Sequence, residues 1–575
     1  MRHALISAVS ATCAIATTMA LAFPASAAPD RSRSRSRNEG AASEYVVLYN
    51  EDVSPGRAHA AVKAAGGRVV HENTDVGVAT VVSRNPDFTT DAMEHRALEG
   101  VAHNRVIGAA PKGRSSTEAE AATGAGGVTG GGVRGRPSKA AEPLADLQWD
   151  MKQIHATDKG SYETEPGDRR VLVGVLDTGI DGDHPDIKAN FNKRLSRNFT
   201  HDIPKDVDGR ELDGPCEFTS CVDPVDWDDN EHGTHVASTI AAPRNGLGMS
   251  GVAPNVSLVN IRVGQDSGQF YLQPTVDGLT YAARIGVNVV NMSYFVDPWI
   301  WSCADNPADS PADRLEQRTI IAATQRALDF AHERGVTLVA AAGNQLVDYT
   351  KSHADNASPN FPSVPGEKPH KRTVSANCLS MPTEGEHVIP VSATGPSTRK
   401  SYYSSFGDGH VAVAAPGGDK ADAPDGRPDD RRGIWAAYPE HIAKLRGQLD
   451  PDGTPKVPSV VRSCKNGTCA YYQSMQGTSM AAPHASGVAA LIISRYGRPD
   501  GRGRLALDPW VVERVLRGTA TATPCPSPNT VEYVWYKLTD GKWVKNTSTQ
   551  TCEGRTRRNG FYGDGIVDAL RAVQH

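Results

Sequence analysis

Six short apolar runs, each closing on a small or polar residue, set the rhythm of the chain from Leu147 onward. "RVLVGVLDTG", "VSLVNIRV", "GVNVVNMS", "GVTLVAAAGN", "HVIPVSAT" and "HVAVAAPG" are nearly continuous in Val, Leu, Ile and Ala, the pattern of strands buried on both faces. Between two of them Ile320, Ile321, Ala327, Leu328 and Ala331 recur at helical spacing, and Gly335 supplies a stop. Strand alternating with helix predicts an α/β fold, a parallel sheet with crossover helices. Its chemistry is expected outside the carboxyl ends of the strands.

A smaller α/β unit precedes this region. "EYVVLYN" and "VGVATVVS" read as strands and "SPGRAHAAVKAAGG" as a helix, within residues 44–110. Residues 111–146 are rich in Gly, Ala and Ser without apolar periodicity, so they read as a flexible, protease-accessible linker between separable pieces.

Composition adds export. Residues 1–28 place Arg2 ahead of an apolar stretch and end on Ala25-Ser26-Ala27, the small-residue cleavage pattern of a secretory signal. A secreted, extracellular product follows, with no membrane association after signal cleavage. A net charge of −5 gives no reason to expect nucleic acid as a partner. Of nine cysteines, Cys13 lies in the signal; eight outside the cell suggest disulfides. Pairing sequence neighbours gives Cys216 with Cys221, Cys303 with Cys378, Cys464 with Cys469, and Cys525 with Cys552. A zinc site fits less well, because no pair has CxxC spacing.

Candidate chemistry stands at the ends of the apolar runs. Asp177 closes "VLDTGIDGDHPD", His232 opens "HGTHVAST", Asn344 ends "GVTLVAAAGN", and Ser479 sits in "QGTSMAAPHASGVAAL" at a helix start. A serine hydroxyl attacks only if an imidazole removes its proton, and the imidazole needs a carboxylate to fix its tautomer. The resulting oxyanion needs fixed donors, which the Asn344 amide and the backbone N–H of Ser479 supply. Each residue alone has an ordinary use as a cap or turn residue; the four together are far more specific.

With "LDTGIDGDHPD", "HGTHVA", "AAAGN" and "GTSMAAPH", the sequence resembles the subtilisin-like serine peptidases from Leu147 to near the C-terminus. The resemblance implies a three-layer α/β/α catalytic domain over residues 147–575. In it Asp177 orients, His232 acts as base and then acid, Ser479 attacks, and Asn344 holds the oxyanion. It also implies that residues 44–110 are an inhibitory prodomain released by a maturation cut in the linker. Protein or peptide substrates, an endopeptidase acting as a monomer, and no cofactor for the chemistry itself are expected. Ser267 and Gly268 on one edge, Ser293, Tyr294 and Phe295 on the facing edge, and Ala341 and Gly343 are the implied substrate-binding residues. Asp186 and Asn245 fall at calcium-binding positions.

Several positions depart from the family pattern. Glu231 stands in place of glycine before the histidine and Ser238 in place of another glycine, both read as sterically modest changes. Tyr294 and Phe295 are bulkier than the usual residues and are expected to reshape a pocket wall. Gln345, with no acidic cluster beside it, suggests a neutral or apolar preference. Polar, Pro-rich insertions at 197–228, 296–318, 345–385, 418–472 and 521–555 read as loops around the site. The acidic residues Asp206, Asp208 and Asp213 read as a solvated surface, and His235 as a packed structural histidine. Two other readings remain: a dedicated maturation peptidase for one peptide precursor, and a catalytically silent binding protein of the same fold.

Overall fold

The structure is a computed structural model, and it describes residues 42–104, 142–205, 211–359 and 369–575. The expected signal, most of the linker with its maturation cut, and Asp206 and Asp208 lie outside the described residues.

In the N-terminal unit the strands are β1 (Ser43–Tyr49), β2 (Gly67–Asn73), β3 (Val78–Ser83) and β4 (Leu98–His103), with helices α1 (Pro55–Ala64) and α2 (Phe88–Met93) between them. They form an antiparallel sheet in the order β2-β3-β1-β4. Because strand side chains alternate, β1 serves two cores. Tyr45, Val47 and Tyr49 pack on α1 and α2, while Val46 and Leu48 point away from them.

The larger region contains strands β5 (Leu172–Asp177), β6 (Arg197–Asn198), β7 (Ser257–Arg262), β8 (Val289–Met292), β9 (Thr337–Ala341), β10 (Val388–Thr394) and β11 (Val413–Pro416). They make one all-parallel sheet in the order β11-β10-β9-β8-β5-β7-β6. Every one of the six apolar runs is a strand of it. Helices α3 (His232–Ala241) and α6 (Thr478–Tyr496) cover one face, and α4 (Leu272–Ile285) and α5 (Pro311–Glu333) the other. The chain leaves β5 toward β7 on one side and returns to β8 on the other. The carboxyl end of β5, and with it Asp177, therefore lies where the strand order reverses.

The free face of the N-terminal sheet docks on α4 and α5. Val46, Leu48, Val78 and Ala102 share one apolar cluster with Val276, Ile320 and Ala323. Gly100 permits the approach, since a Cβ there would meet Thr319 Oγ1 at 2.4 Å. Arg326 of α5 donates to the Tyr49 carbonyl at 2.7 Å and pairs with Glu51 and Glu99. His71 Nε2 lies 2.8 Å from Asp277 Oδ2, and Asn73 donates to Asp277 and Thr280.

Two expectations need correction. The linker does not run to residue 146: Glu142 accepts from the Gly246 N–H at 3.0 Å, and Leu144 N–H donates to the Gly248 carbonyl at 2.8 Å. The insertions are also not simply loops. Residues 418–472 contain most of a three-stranded antiparallel sheet of β12 (Ile434–Tyr438), β13 (Val460–Lys465) and β14 (Thr468–Met475). Residues 521–555 contain the ribbon of β15 (Thr530–Thr539) and β16 (Lys542–Thr551). Asn466-Gly467 and Asp540-Gly541, with positive φ at each residue, close the two hairpins. All four neighbour disulfides form as expected.

Candidate active site

Asp177 ends β5 fully buried, and His232 is the first residue of α3. Their side chains meet, Asp177 Oδ1 lying 2.7 Å from His232 Nδ1. The same oxygen accepts the Thr178 N–H at 2.8 Å, which fixes the carboxylate against rotation. Two glycines allow this closeness. A Cβ on Gly233 would stand 2.1 Å from the Gly179 carbonyl, and one on Gly179 would stand 2.5 Å from that of Trp227.

Sequence reasoning missed the residue that anchors the helix. Asp228, fully buried, accepts from the N–H groups of Asn230, Glu231 and Thr234 and from the hydroxyls of Thr178 and Thr234. A carboxylate facing unpaired N–H groups at a helix start is stabilised there by the helix dipole. The Asp-x-x-x-x-x-Thr spacing ahead of α3 was the available signal. Burial alone would depress the imidazole of His232. The charge and hydrogen bond of Asp177, with Asp228 and Glu231 nearby, outweigh it and raise the pKa above 6.5.

Ser479 is the second residue of α6 and is nearly buried. Its hydroxyl donates to the Ser293 carbonyl at 3.2 Å, while Ser293 Oγ donates back to the Ser479 carbonyl at 3.0 Å. In the arrangement the resemblance implies, the Ser479 hydroxyl has to turn from this acceptor to reach the imidazole of His232. Asn344 is held by the neighbour of Ser479: Thr478 donates its N–H at 2.8 Å and its hydroxyl at 2.9 Å to Asn344 Oδ1. Since Oδ1 is committed to those donors, Nδ2 is left to donate elsewhere. The Ser479 N–H, in the first helical turn, has no intrahelical acceptor. These two are the donors an oxyanion needs.

The expected substrate residues do more internal work than anticipated. Ser293 clamps the start of α6, and Gly343, at φ 92°, commits its N–H to Thr478 Oγ1 at 3.0 Å and its carbonyl to Ser405. The Ala341 carbonyl accepts from Thr383. Ser267 gives both its N–H and its hydroxyl to Asp213 Oδ1, so Asp213 is not a freely solvated acid. Gly268, at φ 83°, turns the edge back so that Gln265 N–H meets the Gln269 carbonyl. Tyr294 and Phe295 are buried, and the Tyr294 ring stacks on Phe270 at 4.2 Å. Tyr294 therefore ties the two expected substrate edges together instead of forming an exposed pocket wall.

The two departures around His232 match the inserted sheet. Glu231 holds φ 85°, a region that strains any residue with a Cβ, and forms a two-pronged ion pair with Arg446 at 2.9 and 2.7 Å. Ser238 Oγ accepts the Ala437 N–H at 3.0 Å. His235 Nε2, between them on the helix, lies 3.0 Å from the Ile434 carbonyl and 3.2 Å from that of Gln473. Burial pushes the His235 pKa down to about 3, consistent with a structural, uncharged role. The substitutions are thus not sterically modest: they join α3 to the 418–472 insertion.

The Asp186–Asn245 pair does not suit calcium as arranged. Asn245 Nδ2 donates to Asp186 Oδ1 at 3.0 Å, and its own Oδ1 is taken by the Leu247 N–H. Asp186 Oδ2 accepts from the Met249 N–H and the Tyr472 hydroxyl, both at 3.0 Å. Donors therefore fill the positions where a cation requires oxygen acceptors. Tyr472 comes from the inserted β14, and burial pushes the Asp186 pKa up to about 8.

An acid-oriented imidazole, a serine at a helix start and two donors at the carboxyl end of a parallel sheet define a serine-nucleophile hydrolase. The model of the subtilase family matches residues 168–563, and the chain belongs to that family; it is a serine endopeptidase. It is 28% identical over 326 residues to subtilisin DY of Bacillus licheniformis, covering 57% of this chain and 77% of that protein. It is 27% identical over 389 residues to fervidolysin of Fervidobacterium pennivorans, covering 66% of this chain but only 41% of that protein's length. Among solved structures, the epidermin leader peptide processing serine protease of Staphylococcus aureus aligns at TM-score 0.58 and 20% identity, over 93% of this chain and 98% of that one. Fervidolysin aligns at TM-score 0.53 and 22% identity, over 94% and 62%. These structural likenesses carry the fold, an α/β domain behind a small α+β unit.

Proposed function

We propose that the chain is the secreted zymogen of a subtilisin-like endopeptidase that cuts its own linker and is inhibited by its N-terminal unit until that unit is released. Ser479 attacks the carbonyl of a protein or peptide substrate, and His232 takes its proton and later delivers it to the leaving amine. Asp177 stabilises the imidazolium, and Asn344 with the Ser479 N–H receives the oxyanion. The observation that carries the zymogen reading is the N-terminal sheet, which buries its second face on α4 and α5 instead of on solvent. The test is the intact mass and N-terminal sequence of exported protein, compared with Ser479→Ala. Loss of the N-terminal unit only in the native chain supports the reading; identical processing of both contradicts self-cleavage.

A narrow substrate range is the second reading. It is favoured by the insertion at 197–228, whose Asp213 occupies the Ser267 N–H and whose Ile203 and Leu212 pack on Tyr271. The neighbour that processes the epidermin leader peptide is an example of such use on this fold. Digestion of a peptide library separates the two: a single consensus marks a dedicated maturation peptidase, and scattered cleavage a degradative one.

A further inference from the structure

The same insertion brings a group of carboxylates to the back of the substrate edge. Asp202, Glu217 and Asp266 each present an oxygen so that all lie within 4.8 Å of one another. Asp223 and Asp266 share the buried guanidinium of Arg262, Asp223 through Oδ2 and Asp266 through Oδ1. Asp223 Oδ1 and Asp266 Oδ2 are buried without a hydrogen-bond partner among the described residues. Asp202 is the telling residue: it is 3% exposed, and neither carboxylate oxygen has a hydrogen-bond partner among the described residues. Burying a carboxylate without compensation is strongly unfavourable, and one arginine cannot neutralise this many acids.

We propose that Asp202, Glu217 and Asp266 bind a calcium ion, distinct from the Asp186 position, and that the ion fixes the substrate edge. The spacing fits: calcium–oxygen distances of roughly 2.3–2.6 Å put ligands on opposite sides of one ion about 4.6–5.2 Å apart. An all-oxygen donor set on a loop, rather than a rigid octahedral cage, favours calcium over magnesium. The Cys216–Cys221 bridge flanks Glu217, and the Asp202 N–H donates to the Cys221 carbonyl at 2.8 Å. Asp266 directly precedes Ser267 and Gly268, so an ion on it would hold the edge from which an extended peptide is read.

The binding test does not depend on protease activity. The full chain carrying Ser479→Ala, which cannot digest itself by the proposed mechanism, is stripped with chelator and titrated with calcium chloride at pH 8. Thermal unfolding and calorimetric stoichiometry are followed. At about a hundredfold excess over Kd the expected rise in Tm is about 2–3 °C. Asp202→Asn, which removes no protein hydrogen bond, should abolish the rise, and Asp186→Asn should keep it. Glu217→Gln, at an exposed position, serves as a second variant if Asp202→Asn fails to fold, and should weaken binding at least tenfold. No calcium-dependent rise, a rise retained in both the Asp202 and Glu217 variants, or an equal rise with magnesium would overturn the proposal. In the active enzyme, chelation should raise KM more than it lowers kcat, a split that follows from the edge's role in binding.

Discussion

Thr478 gives both its N–H and its hydroxyl to Asn344 Oδ1, so the residue before Ser479 fixes the orientation of the Asn344 amide and leaves its Nδ2 to donate elsewhere. Asn344→Ala should lower kcat by about 10²–10³-fold with little change in KM, because the donor acts on charge that exists only in the transition state. Thr478→Val keeps the backbone contact and loses the hydroxyl, and about a tenfold loss of kcat is expected. Steady-state kinetics on one peptide substrate check both; an unchanged kcat in Asn344→Ala would remove the residue from the oxyanion site.

The pH profile follows from the site of His232. The imidazole must be neutral to accept the Ser479 proton, and Asp177 raises its pKa above 6.5 against the opposing effect of burial. The acid limb of kcat/KM should therefore have its midpoint above pH 6.5. Asp177→Asn should move that limb toward lower pH and cost about 10⁴-fold in kcat, through loss of the orienting carboxylate. A limb that stays in place in the variant would mean that another group titrates.

Docking of the N-terminal unit should also depend on pH. The Asp277 hydrogen bond raises the pKa of His71, outweighing the depression from burial. A pKa raised in the docked state gives a contribution fully present below the free value, near 6.5, and lost as pH rises through the docked value. Inhibition of the mature enzyme by the isolated N-terminal unit should weaken from pH 6 to pH 9, and His71→Gln should flatten that dependence. Arg326→Ala should weaken inhibition at every pH by about tenfold or more, through loss of a largely buried ion-pair partner.

The framework of the site was legible in the chain because each part has a local signature. Buried parallel strands need unbroken apolar runs, and Asp177, His232, Asn344 and Ser479 stand where those runs end or helices begin. Neighbouring cysteines also paired as their spacing suggested. What escaped depends on contacts between distant segments. Nothing near Asp186 indicates that Tyr472 would fill its position, and nothing near Glu231 names Arg446. That residues 44–50 form a strand was visible, but not that its second face would meet α4 and α5. The Asn466-Gly467 and Asp540-Gly541 hairpins were a different matter: their turn signal was present and was outweighed by the polar, Pro-rich composition around them.

Glu231 and Arg446 offer a stability test of that long-range design. Arg446→Met leaves the buried Glu231 carboxylate unpaired and should cost about 2 kcal/mol, less than a fully buried pair because Arg446 is partly exposed. Glu231→Gly frees the Arg446 end, yet removes the strain at φ 85°, worth about 1 kcal/mol. The glycine variant should therefore lose less. Urea unfolding of the two variants decides the order, and a larger loss for Glu231→Gly would contradict the strain argument.

The most direct test of the central claim is mass spectrometry of the processed chain after reaction with a fluorophosphonate, which modifies activated serines. The account predicts one adduct, on Ser479, lost in Ser479→Ala and slowed by orders of magnitude in His232→Ala. No adduct on the native chain, or the same adduct on the Ser479→Ala variant, would contradict it.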